Sequence, residues 1–267
     1  MSALRARSLA KKVSNPKSLL IQWCCFLFAS LTPTWVCSEI ESNLSIAAAS
    51  NFILPIKELI KTYESKTTTR IKLSVGSSGS LHAQIVNGAP FQLFFSADQD
   101  KPASLISANL ADETHRYTYA IGKLVLWSAQ KDSQPEMVLL SGSFKKIALA
   151  NPELAPYGKA AISVLENLGL NEKYANRQVQ GQNIAQTYLY TLSGNAQLGF
   201  IAASQNQTKI GAAWDIPKDL YQPIKQDVVL INKYRRSQPA LGFLKFVKSD
   251  RAKSIILKYG YDVTKTN

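Results

Sequence analysis

Short apolar runs alternate with segments of helical period along most of the chain, and this alternation restricts the possible folds more than any other feature. "IAAA", 46–49, precedes a segment, 52–64, in which Ile56, Leu59, Ile60 and Tyr63 recur at helical spacing. "IKLSV", 71–75, alternates at period two and leads through "SSGS" into a short helix that should stop at Asn87-Gly88. "FQLFFSA", 91–97, precedes "DQDKPASLISANL", with Asp98 as the expected N-cap. Further strands are expected at "KLVLW" (123–127), "KKIALA" (145–150), "RQVQ" (177–180), "AQLGFIAA" (196–203) and "QDVVLI" (226–231). One helix should carry Ala161, Val164, Leu165 and Leu168 on its apolar face and end near Gly169. Another should carry Ala185, Tyr188, Leu189 and Leu192, and a last one should span 250–259 before Gly260. The runs 130–143 and 215–227 read as surface connections. Strand alternating with helix predicts parallel α/β sheets. The same strand–loop–helix rhythm occurs twice near 45–90 and twice near 145–195, which fits two lobes with a cleft between them.

The loops that join strand to helix are unusual in what they contain. They are "ASNF" (49–52), "GSSGS" (76–80), "NPELAPYG" (151–158) and "GQNI" (181–184), and Glu153 is their one charge. In open parallel sheets, ligands bind beyond the carboxyl ends of the strands. Helix N-termini there present unpaired N–H groups and about half a positive charge, a ready site for an anion. Gly76, Gly79 and Gly158 would let backbone N–H groups approach a ligand closely. Each loop alone also has a purely structural reading: Ser50, Asn51 and Asn183 as helix caps, "GSSGS" as a flexible turn, Tyr157 as a packed turn residue. Four such loops, two per lobe, would surround one small anion with neutral donors.

The N-terminus reads as an export signal. Arg5, Arg7, Lys11, Lys12 and Lys17 precede an apolar stretch whose uninterrupted core, 23–29, is too short to span a bilayer comfortably. "VCS", 36–38, supplies a cleavage site after Ser38. An uncleaved anchor is the alternative. Trp23 before Cys24 and Trp35-Val36 before Cys37 disfavour a lipid-attachment site. Cleavage would leave 229 of the 267 residues and remove Cys24, Cys25 and Cys37, so the mature chain would hold itself by its core without a disulfide. It would keep 26 Lys and Arg against 18 Asp and Glu, a net charge of +8. Those basic residues are scattered and not interleaved with aromatics, so they read as a solvated surface with a general attraction for small anions, not as a nucleic-acid site.

Catalytic signatures are absent from the sequence. "GSSGS" is not G-x-S-x-G, and there is no H-E-x-x-H and no Walker loop. His82 and His115 show no obvious partner, and Asp98 with Asp100 reads as a helix start. The expectation is a protein that is not an enzyme and needs no cofactor.

"AAASNF", "GSSGSLHAQIVNGAP" running into "LFFSADQDKP", "NPELAPYGKAA" and "GNAQLGFIAASQ" resemble the periplasmic molybdate-binding proteins of ABC importers. The resemblance covers about 44–262. It implies a two-lobed type II periplasmic-binding-protein fold, each lobe a mostly parallel sheet flanked by helices, with the ligand cleft at the hinge. It implies 1–38 as signal peptide, 39–120 plus 223–267 as lobe 1 and 121–222 as lobe 2, with chain crossings near Tyr119–Gly122 and Tyr221–Lys225. The ligand implied is molybdate or tungstate, held by Ser50 (hydroxyl and N–H), Asn51 (backbone or side-chain amide), Ser78 (hydroxyl and N–H), and the backbone N–H groups of Tyr157 and Ile184. No residue would touch the metal directly, since molybdenum arrives as an oxyanion. The partners implied are a membrane permease and its cytoplasmic ATPase, with the binding protein a periplasmic monomer. Some members of the family add a tyrosine hydroxyl after "LG", where this chain has Ala202. The rival readings are a binding protein for sulfate or a small carboxylate, an enzyme on the same scaffold, and a regulatory sensor. A carboxylate would want an arginine, and none sits in the four loops.

Overall fold

The computed structural model describes residues 43–207 and 210–264. The signal segment 1–38, with its three cysteines, lies outside the described residues. The chain runs β1 (Asn43–Ala49), a 3-10 turn (Ser50–Phe52), α1 (Ile53–Glu64), β2 (Arg70–Gly76), α2 (Ser78–Val86), β3 (Leu93–Phe95), α3 (Asp100–Ser107) and β4 (Ala111–Gly122). It continues through β5 (Leu124–Ser128), α4 (Pro135–Ser141), β6 (Ile147–Ala150), α5 (Pro156–Asn167), α6 (Asn171–Tyr174), β7 (Gln178–Gly181) and α7 (Ile184–Leu192). It ends through β8 (Leu198–Ala202), β9 (Ala212–Asp215), β10 (Ile224–Ile231), α8 (Gln238–Val247) and α9 (Asp250–Lys258).

Two five-stranded sheets result, in the orders β2-β1-β3-β10-β4 and β7-β6-β8-β5-β9. Within each, the first two pairings are parallel and the last two antiparallel. The sheets are therefore mixed, not mostly parallel. Alternation of strand and helix accounts for the parallel half. The antiparallel half comes from β5 and β10, each inserted between a parallel strand and an edge strand. The chain leaves the first sheet at Gly122 and returns to it at Ile224.

"IAAA" lacks polar alternation because both faces of β1 are covered. Leu44, Ile46 and Ala48 pack with Ile56 and Leu59 of α1, Phe243 of α8 and Ile255 of α9. Ala47 faces the opposite side, with Leu81 and Ile85 of α2 and Leu105 of α3. The second sheet repeats the plan. Leu126, Leu149 and Phe200 pack under Val164 and Leu165 of α5, while Trp127 on the reverse face stacks on Tyr188 of α7 with centroids 5.0 Å apart. α2 and α5 end as expected, just before Gly88 (φ 86°) and Gly169 (φ 67°), which take the left-handed conformation that closes a helix.

Several expectations need correction. Residues 111–122 form a long strand, although "DETHRYT" is largely polar. Arg116 Nε and Thr118 Oγ1 reach across to buried Asp227 of β10 at 2.7 and 2.6 Å, so these polar side chains are satisfied within the sheet. The supposed connection 130–143 contains α4, whose Leu139 is fully buried. The segment 215–227 buries Tyr221, Ile224, Gln226 and Asp227. β9 is only four residues long, and α8, which the sequence reading passes over, buries Ala240, Phe243, Leu244 and Val247 at helical spacing. α3 begins one residue later than expected, with Gln99 at the N-cap position making no side-chain cap bond, while Asp98 does the capping by accepting from Lys101 N at 3.1 Å. α7 buries Ile184, Thr187 and Thr191 and leaves Leu189 and Leu192 exposed. The reason is close packing: a Cβ on Gly199 would sit 2.1 Å from Thr191 Oγ1, so α7 meets β8 through its small face.

Candidate functional site

The carboxyl ends of β1, β2, β6 and β7 all lead into the loops singled out above, and those loops meet. Ala49, Ser50, Asn51, Gly76, Ser77, Ser78, Ala97, Ala155, Pro156, Tyr157 and Ile184 line one cavity of about 10 Å³, about the room one water molecule needs. Ser50, Asn51, Ser78, Tyr157 and Ile184, drawn from both sheets, are each 1–2% exposed. No lining residue is charged. Wider grooves of about 440 and 680 Å³ open elsewhere, but both are lined by lysines and carboxylates that water screens.

Each helix end is built to leave donors for the cavity. Ser77 caps α2 by accepting from Ser80 N at 3.2 Å. Asn183 caps α7 by accepting from Ala185 N and Gln186 N at 3.0 and 3.1 Å, a structural role. α5 opens with Pro156, which has no N–H to satisfy. Ser78, Tyr157 and Ile184 then sit in first turns, where the backbone N–H has no intrahelical acceptor. Ser78 Oγ accepts from Ala97 N at 2.8 Å, so its own proton remains free to donate. The Ser50 hydroxyl makes no hydrogen bond to another described residue. A backbone bond from Gly79 N to Leu154 O, 2.8 Å, links the loops of the two halves, next in sequence to the lining residues Ser78 and Ala155.

Of the two donors expected of Asn51, the side-chain amide is already engaged. Its Nδ2 donates to Gln226 Oε1 at 2.8 Å and to the Tyr261 hydroxyl at 3.0 Å, so both amide protons are occupied. Only its backbone N–H remains for the cavity. Ala202 does not line the cavity, and no hydroxyl reaches it from that position. His82 and His115 do have partners: His82 Nε2 lies 3.3 Å from Ser104 Oγ, and His115 Nδ1 lies 3.0 Å from Asp112 Oδ2, both away from the cavity. Among the described residues, no group of three or more His, Cys, Asp or Glu could hold a metal ion.

Behind the cavity lies a polar cluster that sequence reasoning missed. Gln226, fully buried, accepts from Asn51 and from the Tyr119 hydroxyl at 3.0 Å, and donates to the Tyr157 hydroxyl at 3.2 Å. Gly122 makes room for it, since a Cβ there would stand 2.1 Å from the Tyr157 hydroxyl. Burial holds the tyrosine hydroxyls neutral. It raises Tyr119 and Tyr157 well above the ordinary value and pushes Tyr261 up to about 12. The sign follows from linkage. Above the ordinary tyrosine value of about 10 the unfolded chain ionises while the buried cluster does not. Stability is therefore fully present below about pH 10 and falls as pH rises through about 12. Tyrosinate absorbance should show these three phenols ionising only together with unfolding. Smooth ionisation in the folded protein would contradict it.

Two lobes of matching topology closing on a buried polar cavity define the type II periplasmic-binding architecture of solute-binding proteins. The family of bacterial extracellular solute-binding proteins matches residues 44–262. The molybdate-binding protein ModA of Azotobacter vinelandii is 38% identical over 231 residues, 84% of this chain and 92% of the relative. ModA of Rhodobacter capsulatus is 41% identical over 217 residues, 80% and 86% of the two chains. The solved structure of the Azotobacter vinelandii periplasmic molybdate-binding protein superposes with a TM-score of 0.79 at 38% identity, covering 83% of this chain and all of that one. The chain belongs to the bacterial extracellular solute-binding proteins, as its resemblance to the periplasmic molybdate binders anticipated.

Proposed function

We propose that the protein captures molybdate, and tungstate of the same shape and charge, in the cavity between its lobes and delivers it to the permease of an ABC importer. Ser50, Asn51, Ser78, Tyr157 and Ile184 are the ligand-binding residues in this reading, Asn51 through its backbone N–H. One observation carries it: the five residues line a single small cavity that offers hydroxyl and N–H donors and no charge. The relatives named above, whose names say that they bind molybdate, support the choice of ligand.

The physics favours a fully ionised tetrahedral anion. Charge-assisted hydrogen bonds from neutral donors stabilise a dianion, and helix N-termini add their partial charge. Without a fixed cation, no unpaired charge is buried when the site is empty. Phosphate near neutral pH keeps a proton that requires an acceptor. A donor-only site leaves that proton unpaired at a cost of about 1–3 kcal/mol. Sulfate has no such proton, so its exclusion rests on cavity size. The protein works by binding and release, without catalysis or a cofactor. It acts as a periplasmic monomer exported by residues 1–38, with residues 39–120 plus 223–267 as one lobe and 121–222 as the other.

Thermal unfolding of residues 39–267 tests the reading, with molybdate, tungstate, sulfate and phosphate at equal millimolar concentration. A ligand at 100 times its dissociation constant should add about 2.7 kcal/mol. A rise with molybdate and tungstate alone is expected. Equal rises with sulfate would make the protein a general oxyanion binder. No rise with any of the four would remove the oxyanion reading.

A further inference from the structure

The occupied amide of Asn51 leads to the segment after α9. There the chain forms an isolated antiparallel bridge to β4: Ile121 N donates to Asp262 O at 2.7 Å, and Asp262 N to Ile121 O at 3.0 Å. Lys123 Nζ pairs with Asp262 Oδ1 at 2.7 Å. Ile121 and Lys123 flank Gly122, where the chain leaves the first sheet. The segment therefore straps the crossover between the lobes.

Between these contacts Tyr261 points inward and is 3% exposed. Its ring meets Phe52 edge-on, centroids 5.4 Å apart. Its hydroxyl donates to the Asn51 carbonyl at 2.7 Å and accepts from Asn51 Nδ2 at 3.0 Å. The same hydroxyl lies 3.1 Å from Ser204 Oγ, which donates to the same Asn51 carbonyl at 2.8 Å. Ser204 sits in the turn just after β8, in the second sheet. One carbonyl of the cavity wall is thus clasped by a hydroxyl from the crossover strap and a hydroxyl from the opposite lobe. The carbonyl shares its peptide plane with the Phe52 N–H, so fixing it restrains the short turn Ser50–Phe52 that carries the Ser50 and Asn51 donors. The cluster is buried, where a hydrogen bond meets little competition from water.

We propose that Tyr261 is a positioning residue of the oxyanion site: it fastens Asn51 and, with Ser204, holds the second lobe closed over the ligand. This rests on the reading of the cavity as an oxyanion site. Opening the cleft must break the Ser204 bond to Asn51, whereas Tyr261 and Asn51 stay together. The two hydroxyls therefore act on how long the closed state lasts, more than on how fast ligand arrives.

The test is molybdate binding kinetics on the purified wild type, Tyr261→Phe, Ser204→Ala and the double variant, with the melting temperature of each ligand-free protein. Phe keeps the ring against Phe52 and removes the hydroxyl alone. Tyr261→Phe should dissociate molybdate about 10-fold faster, the worth of one buried hydrogen bond, with an association rate within about twofold of wild type. The double variant should fall short of the product of the two single effects, because both hydroxyls serve one carbonyl. An unchanged dissociation rate in Tyr261→Phe would overturn the proposal. So would a lowered ligand-free melting temperature with wild-type kinetics, which marks a packing role only. A wild type that binds no molybdate would overturn the oxyanion reading itself and this proposal with it.

Discussion

Gly158→Ala is expected to weaken molybdate binding at least 100-fold and to lower the melting temperature by roughly 2–12 °C. Gly158 is the third residue of α5, and a Cβ there would lie 2.1 Å from the Ala150 carbonyl oxygen and 2.7 Å from its carbon. Both atoms are backbone at the end of β6, so no side chain can swing away. The helix start must lift by about 1 Å to restore a normal contact. Overpacking of this kind costs about 1–3 kcal/mol, or more when the obstacle is rigid. In a domain of this size each kcal/mol corresponds to roughly 2–4 °C. The same shift carries the Tyr157 N–H out of the cavity and strains the Gln226 bond to the Tyr157 hydroxyl. Losing one charge-assisted bond costs about 1.5–3 kcal/mol, and misplacing a second donor brings the total beyond 100-fold. Titration calorimetry and a thermal melt measure both effects. Wild-type affinity in this variant would show that the start of α5 does not position the ligand.

Ser50→Ala should separate affinity from stability. The Ser50 hydroxyl bonds to no other described residue, so its removal should change the melting temperature of the ligand-free protein by no more than about 2 °C. Its bond to a bound dianion is worth about 1.5–3 kcal/mol, which predicts about a 10- to 150-fold weaker molybdate affinity. Ser78→Ala provides the contrast. Ser78 Oγ accepts from the buried N–H of Ala97, so that variant should lose stability as well as affinity. Calorimetry of the two variants side by side decides the matter. If Ser50→Ala binds molybdate as wild type does, the Ser50 hydroxyl does not contact the ligand.

Much of the site was legible because its chemistry is local. A strand end, a small polar loop and a helix start are written in consecutive residues, and first-turn N–H groups are free wherever a helix begins. That is why the loops that hold Ser50, Ser78, Tyr157 and Ile184 stand out one at a time, although only the family resemblance names Tyr157 and Ile184 as donors. The periodic elements α1, β2 and α5 are legible for the same reason, since burial imposes its period on neighbouring residues, and β1 is legible as a short apolar run.

What stayed hidden depends on contacts between distant parts of the chain. β4 reads as polar because its partner for Arg116 and Thr118, Asp227, is more than a hundred residues away. α7 turns its leucines outward because Gly199 lets only Thr191 approach. Gln226 reads as part of a surface connection, and Tyr261 lies past the last helix, where no motif marks it. Their significance appears only when both meet Asn51 behind the cavity. The sequence by itself determined the strand–helix rhythm, the two matching halves and the neutral donors at the loop ends. Only the tertiary structure decided the antiparallel strands, the orientation of α7 and which polar groups are already paired. The physical reason is that a hydrogen bond or a close contact across the fold leaves no period along the chain.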